Sequence, residues 1–102
     1  MATTNLIEVY EGNSVTINCT VTGLTSLDGY TSTITVVDPS DPDTPIIEEE
    51  GVNVDLIATF TITASSNDLE PLDYGYEVNV DDGTHVYTIV QDIYRVLSSY
   101  KN

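Results

Sequence analysis

The sequence predicts an all-β domain built as a two-sheet antiparallel sandwich, and three observations carry that expectation. The chain is rich in Val, Ile, Thr and Tyr, the β-branched and aromatic types that suit a pleated, half-buried surface. Segments alternate apolar and polar residues with the period of a strand, as Val15, Ile17, Cys19 and Val21 do in one stretch and Tyr74, Tyr76, Val78 and Val80 in another. Clusters of Gly, Pro and Asp separate these segments, as turns require. At 102 residues, 40% of them hydrophobic, the chain suffices for one two-layer core and not for a second, so residues 1–102 are read as a single domain.

The alternation places the elements in order. Asn5 to Tyr10 is a first short strand and Ser14 to Thr22 a second. Gly23 to Gly29 turns, with Leu27 tucked beneath the loop, and Tyr30 to Val37 follows with Ile34 and Val36 on one face. In DPSDPDTP, from Asp38 to Pro45, each proline removes a backbone donor and restrains the residue before it, which predicts an extended loop or an exposed edge. Ile46 and Ile47 resume a strand that runs into Glu48, Glu49 and Glu50, a solvated edge that would discourage strand-to-strand aggregation. From Val54 to Ile62 the pattern is cleanest, with Val54, Leu56, Ala58, Phe60 and Ile62 expected on one side. Ala64 to Leu72 has room for one helical turn, with Ser66 as its N-cap. Tyr74 to Val80 and Val86 to Val90 then form a hairpin through Asp81-Asp82-Gly83-Thr84, and the long run Val86 to Leu97 changes its apolar face near Gln91, by a bulge or a switch of sheet.

Leu69-x-Pro71 followed by Tyr74 marks a particular kind of sandwich. An immunoglobulin-like domain of about seven to eight strands often places a tyrosine at this turn, its ring buried and its hydroxyl bonded to backbone a few residues upstream. Tyr74 is the candidate for that corner, and Cys19 falls where such domains keep the first cysteine of their inter-sheet bridge. No second cysteine exists; Tyr76 stands in its place, and there is no tryptophan to pack on a bridge. The sequence therefore predicts an immunoglobulin-like sandwich without a disulfide, held by packing, with Cys19, Tyr74 and Tyr76 as its structural residues.

Seventeen acids against two cations give a net charge of -15, which would repel nucleic acid and anionic membranes alike. Both cations, Arg95 and Lys101, follow the last acid, Asp92, and with Tyr100 they are the candidate contacts to an acidic neighbour. The start MATTNLIEVY lacks the cationic and apolar regions of a signal peptide, and a lone cysteine makes no internal bridge, so folding in a reducing cytoplasm is expected. Asn18-Cys19-Thr20 matches the glycosylation triplet, but its core-facing middle residue makes this a chance match. No run approaches the roughly 18 apolar residues of a membrane-spanning helix.

Catalytic groups are sparse. His85 is the only histidine and sits beside a predicted hairpin turn, where general-base work would lack partners. Nucleophile-elbow, phosphate-loop, dinucleotide and zinc-protease motifs are missing, and one His with one Cys does not make a transition-metal site. No enzymatic activity and no cofactor are expected. Hard oxygen ligands for Ca²⁺ are the remaining metal possibility, from Asp38, Asp41 and Asp43 in one loop and Asp81 with Asp82 in another, although the same residues are ordinary turn formers. Most of Tyr74, Tyr76, Tyr87 and Tyr94 are expected in the core or half-buried, Tyr10, Tyr30 and Tyr100 are less constrained, and an exposed tyrosine cluster would suit stacking on sugars or a protein interface.

The motifs Leu27-x-Gly29-Tyr30, Ala58-Thr59-Phe60-Thr61-Ile62-Thr63, Leu69-x-Pro71-x-x-Tyr74-x-Tyr76 and Asp82-Gly83-x-x-Val86-Tyr87-Thr88 resemble immunoglobulin-like domains of tailed-bacteriophage virions. Over Val15 to Leu97 the chain looks most like the amino-terminal domain of siphophage baseplate upper proteins and related accessory modules. The resemblance implies a structural protein without an active site that docks in many copies on capsid or tail proteins. Baseplate proteins continue into a long carboxy-terminal part, whereas this sequence ends at Asn102, which moves the expectation toward a capsid decoration protein assembled in a host cytoplasm. The competing expectation is a module that binds glycans or a host surface.

Overall fold

The computed structural model describes residues 6–98. Eight strands follow in order: β1 (Ile7–Tyr10), β2 (Val15–Thr20), β3 (Thr31–Asp38), β4 (Asp41–Glu50), β5 (Val52–Val54), β6 (Ile57–Ile62), β7 (Asp73–Asp81) and β8 (Val86–Leu97). They form a five-stranded sheet, β1-β8-β7-β3-β4, facing a three-stranded one, β2-β6-β5. All pairings are antiparallel except β1 with β8, where Ile7 to Tyr10 run alongside Tyr94 to Leu97.

The period-two pattern decides what lies between the sheets. Ile34 and Val36 of β3, Tyr74, Tyr76, Val78 and Val80 of β7, and Ala58, Phe60 and Ile62 of β6 all point inward and are buried. Fully burying side chains the size of Phe60, Ile34 or Ile62 stabilises by about 1.5–3 kcal/mol each. Leu27 is buried beneath the β2–β3 loop, as expected.

The proline-rich segment takes the exposed-edge form, one of the two the sequence allowed: Asp41 to Pro45 open β4, which lies at the sheet edge, where a missing N–H leaves a ladder position unfilled at little cost. Three details depart from the sequence reading. Val54 to Ile62 is a two-strand hairpin: Val54 pairs with Ile57, and Asp55, at φ 55°, turns the chain so that Val54 faces solvent at 62% exposure. The turn after β6 is capped by Thr63 instead of Ser66, since Thr63 Oγ1 accepts the Ser66 amide at 3.3 Å while the Asn67 amide reaches the Thr63 carbonyl at 3.1 Å. In β8 the face changes at Ile89, two positions before Gln91: Val78 pairs with Val90 but Asn79 with Thr88, so Ile89 is the extra residue of a bulge. Tyr87, the register partner of the buried Val80, is nonetheless 43% exposed instead of half-buried.

Gly51 connects the sheets. The chain leaves β4 and enters β5 over this single residue, its amide bonded to the Ser32 carbonyl at 2.9 Å. A Cβ there would lie 2.7 Å from Cε1 of Phe60, so the crossing is close enough to the core to require glycine. Beside it Ser32 Oγ donates to Asn53 Oδ1 at 2.6 Å and Asn53 Nδ2 donates to the Tyr30 carbonyl at 2.9 Å, tying β5 to the start of β3.

Candidate functional site

The carboxylates of the two acidic loops hold their own turns. Asp38 Oδ1 accepts the Ser40 amide at 2.9 Å and its hydroxyl at 2.7 Å, which holds the Asp38 carboxyl below the usual aspartate range. Asp81 Oδ1 accepts the Gly83 amide at 2.7 Å, and Asp82 Oδ1 those of Thr84 and His85 at 2.8 and 2.6 Å, lowering Asp82 in the same way. These are the local aspartate turns that set a hairpin. Asp41 and Asp43 are exposed at the start of β4, and among the described residues no three His, Cys, Asp or Glu side chains are grouped to hold a metal ion.

Arg95 is engaged inside the domain. Its Nε donates to Asp73 Oδ1 at 2.7 Å, a second nitrogen donates to Asp73 Oδ2 at 3.2 Å, and Nη1 reaches Glu8 Oε2 at 3.4 Å. The fork lies across neighbouring strands, since Asp73 and Glu8 are the register partners of Arg95 on either side. Hydrogen bonding to this guanidinium pulls the Asp73 carboxyl down. As a contact to a neighbouring molecule, Arg95 is therefore already occupied; Tyr100 and Lys101 lie outside the described residues.

Tyr74 is the corner residue: its ring is buried and its hydroxyl donates to the Glu70 carbonyl at 2.9 Å. The sequence reading missed a second buried link. Asn67, 0% exposed, accepts the Tyr94 hydroxyl at Oδ1 and donates from Nδ2 to the Asn13 carbonyl at 2.7 Å, while its own carbonyl accepts the Gly12 amide at 3.0 Å. This one side chain joins the β6–β7 turn, β8 and the β1–β2 turn. A polar residue inside SSND reads as ordinary turn chemistry, and nothing in the local pattern marks it as buried.

Cys19 is half-buried where full burial was expected, and it carries no disulfide. Strand β2 is an edge of its sheet among the described residues, and a groove of about 540 Å³ opens between it and the other sheet, lined by Ile17, Cys19, Tyr76, Val78, Ile89 and Val90 among others. Burial pushes the Cys19 thiol up and carries Tyr76 up to about 12. The pair thus faces across the sheets at the bridge position without a covalent link.

The outer faces of the two sheets contrast. The five-stranded sheet presents Glu8, Glu48, Glu50, Asp73, Glu77 and Asp81 around Arg95, and a hollow of about 370 Å³ lined by Thr35, Val37, Pro42, Pro45, Gly75 and Glu77 among others. The three-stranded sheet presents Thr16, Asn18 and Thr20 from β2, Ile57, Thr59 and Thr61 from β6, and Val52 and Val54 from β5, with no charge among them. Among the described residues the exposed tyrosines do not cluster: Tyr10 sits beside Leu97 and Tyr87 stands ten positions earlier on β8, about 33 Å away at the strand rise. Tyr87 stacks instead on His85, ring centroids 6.3 Å apart.

No protein-family model matches the chain, and no curated protein matches it in sequence. Solved structures do. The immunoglobulin-like domain of mouse leukocyte-associated immunoglobulin-like receptor 1, crystallised as a strand-swapped dimer, superposes with a TM-score of 0.53 at 13% identity over 90% of this chain and 88% of that one. The extracellular domain of the same receptor, also a strand-swapped dimer, gives 0.52 at 12% identity over 90% and 87%. The class that fold and corner define is the immunoglobulin-like β-sandwich. Within it the described residues form eight strands, Cys19 is a free cysteine, and Tyr76 stands two residues past the corner, where bridged members keep their second cysteine.

Proposed function

We propose that this domain is a non-enzymatic structural component of a tailed-bacteriophage particle, a decoration or adaptor protein that docks in many copies on capsid or tail proteins and is assembled in the host cytoplasm. The observation that carries the reading is the division of its surface: six carboxylates face outward around one arginine on the five-stranded sheet, while the loop aspartates and Arg95 are spent on the domain's own turns and strand pairs. Such a face offers a field for docking on a less acidic scaffold and no converging acid, base or nucleophile for a reaction. The virion motifs supply the setting, since fold alone hosts many functions.

The test is to incubate purified protein with particles of the encoding phage that lack it, then sediment them at several salt concentrations. Co-sedimentation that saturates and weakens with salt is the expected outcome. Absence of rebinding at every ionic strength, together with binding to a host glycan, would replace the structural role with a glycan-binding one.

A further inference from the structure

We propose that the uncharged outer face of the three-stranded sheet is a self-association surface, on which a second copy of this chain docks face to face about a two-fold axis. The starting point is charge. A chain at -15 repels its copies, and a two-fold contact sets each patch against itself. On the five-stranded sheet that would bring six carboxylates against six. On the three-stranded sheet the eight outward positions carry none, and Asp55 stands only at the rim, on the hairpin tip.

The same face exposes apolar surface. Val52 and Val54 are 68% and 62% exposed, and Ile57, the register partner of Val54, is 42% exposed, so the three form one contiguous strip along the β5–β6 hairpin. The threonines beside it present methyl and hydroxyl groups that pack or hydrogen-bond against a copy without a charge to desolvate. Asn18 of β2 and Thr59 of β6, register partners on this face, already satisfy each other, the Thr59 hydroxyl donating to Asn18 Oδ1 at 2.8 Å.

Area sets the strength. Strands β2 and β6, each about 20 Å long, and β5, about 10 Å long, lie about 4.8 Å apart and give a footprint of roughly 240 Å² a side, so the pair buries on the order of 500 Å² in all. That is about a third of what a lasting dimer needs. The contact is therefore weak and transient between free molecules, and it gains weight where copies are held side by side at high local concentration. This inference concerns the free protein and stands apart from the docking reading above; its failure would leave particle binding untouched, and the reverse.

The experiment is sedimentation velocity on the whole chain, from micromolar to millimolar concentration, in low and in high sodium chloride. The weight-average mass should climb toward that of a dimer only in the upper range, and more steeply in high salt, because screening relaxes the repulsion between copies. Val54→Glu, at an exposed position whose change leaves the core alone, should hold the protein monomeric throughout, whereas Glu48→Gln on the opposite face should leave association in place. Melting curves matching the parent establish that both variants are folded. A monomer at millimolar concentration in high salt would overturn the proposal, as would Val54→Glu associating like the parent, or association that weakens as salt rises.

Discussion

The two flanks of this sandwich are closed by different means. At the corner the Tyr74 hydroxyl is bonded to Glu70, and Asn67 joins Tyr94 to Asn13, so that these polar groups link two turns and two strands. At the seam, where bridged members of the class hold their disulfide, Cys19 is a free cysteine and borders with Tyr76 an open groove of about 540 Å³, with no covalent bond joining the sheets there. The difference teaches how a domain of this class dispenses with its bridge. A disulfide stabilises by restricting the unfolded chain, typically by 2–4 kcal/mol. Satisfied buried hydrogen bonds act on the native state and contribute about 1 kcal/mol each, but leaving one partner orphaned costs more than the bond itself contributes. The corner is thus the region where single changes should be expensive, and the seam the region where they should be tolerated.

Tyr74→Ala removes the ring as well as the hydroxyl bond and should cost about 3–5 kcal/mol, seen as a fall in denaturation midpoint. Asn67→Ala strands the buried Tyr94 hydroxyl, worth about 1–3 kcal/mol without a partner, while the carbonyl of the exposed Asn13 turns to water, so a loss of that size should appear in the same assay. Tyr74→Phe isolates the hydroxyl and should cost about 1 kcal/mol, or ~4–8 °C in a domain of this size. Cys19→Val, a change of similar volume at a half-buried site, should stay under about 1.5 kcal/mol. A cost at Cys19 equal to that at Asn67 would erase the contrast.

Alkali probes both flanks at once. Burial carries Tyr76 and Tyr94 up to about 12 from the usual value near 10. A folded-state pKa raised above the unfolded one means that the native protein binds more protons between these values. The stability that comes from keeping the two phenols neutral is therefore complete below pH about 10 and is lost as pH rises toward about 12. Phenolate absorbance should develop in that window together with loss of the β-sheet circular dichroism signal. Ionisation of all seven tyrosines near pH 10 with the fold intact would show that neither ring is held from water.

Much of the frame was legible in the sequence. The alternation through β7 gave the inward face from Tyr74 to Val80, and Leu69-x-Pro71-x-x-Tyr74 gave the corner bond, because both are local patterns with a direct mechanical meaning. Long-range features were not legible. Val54 to Ile62 keeps its period of two straight through a two-residue turn, so the alternation hides the reversal at Asp55. The change of apolar face in β8 was legible near Gln91, but the bulge's position at Ile89 was not, because one inserted residue leaves no mark in composition. Asn67 is buried because the β1–β2 turn and β8, both distant in sequence, converge on it. The uncharged face could not be seen either, since its eight residues come from three strands whose pairing sets which of them share a side.

Native-state hydrogen exchange measures the contrast between corner and seam most directly. The amides of Gly12 and Val96, bonded to the carbonyls of Asn67 and Leu72, belong to the corner. The β2 amides paired with β6 belong to the seam. If the corner holds the sandwich closed, Gly12 and Val96 should exchange only through global unfolding, while the β2 amides exchange at least about tenfold faster through local opening. Equal protection on both sides, or slower exchange in β2, would contradict the account.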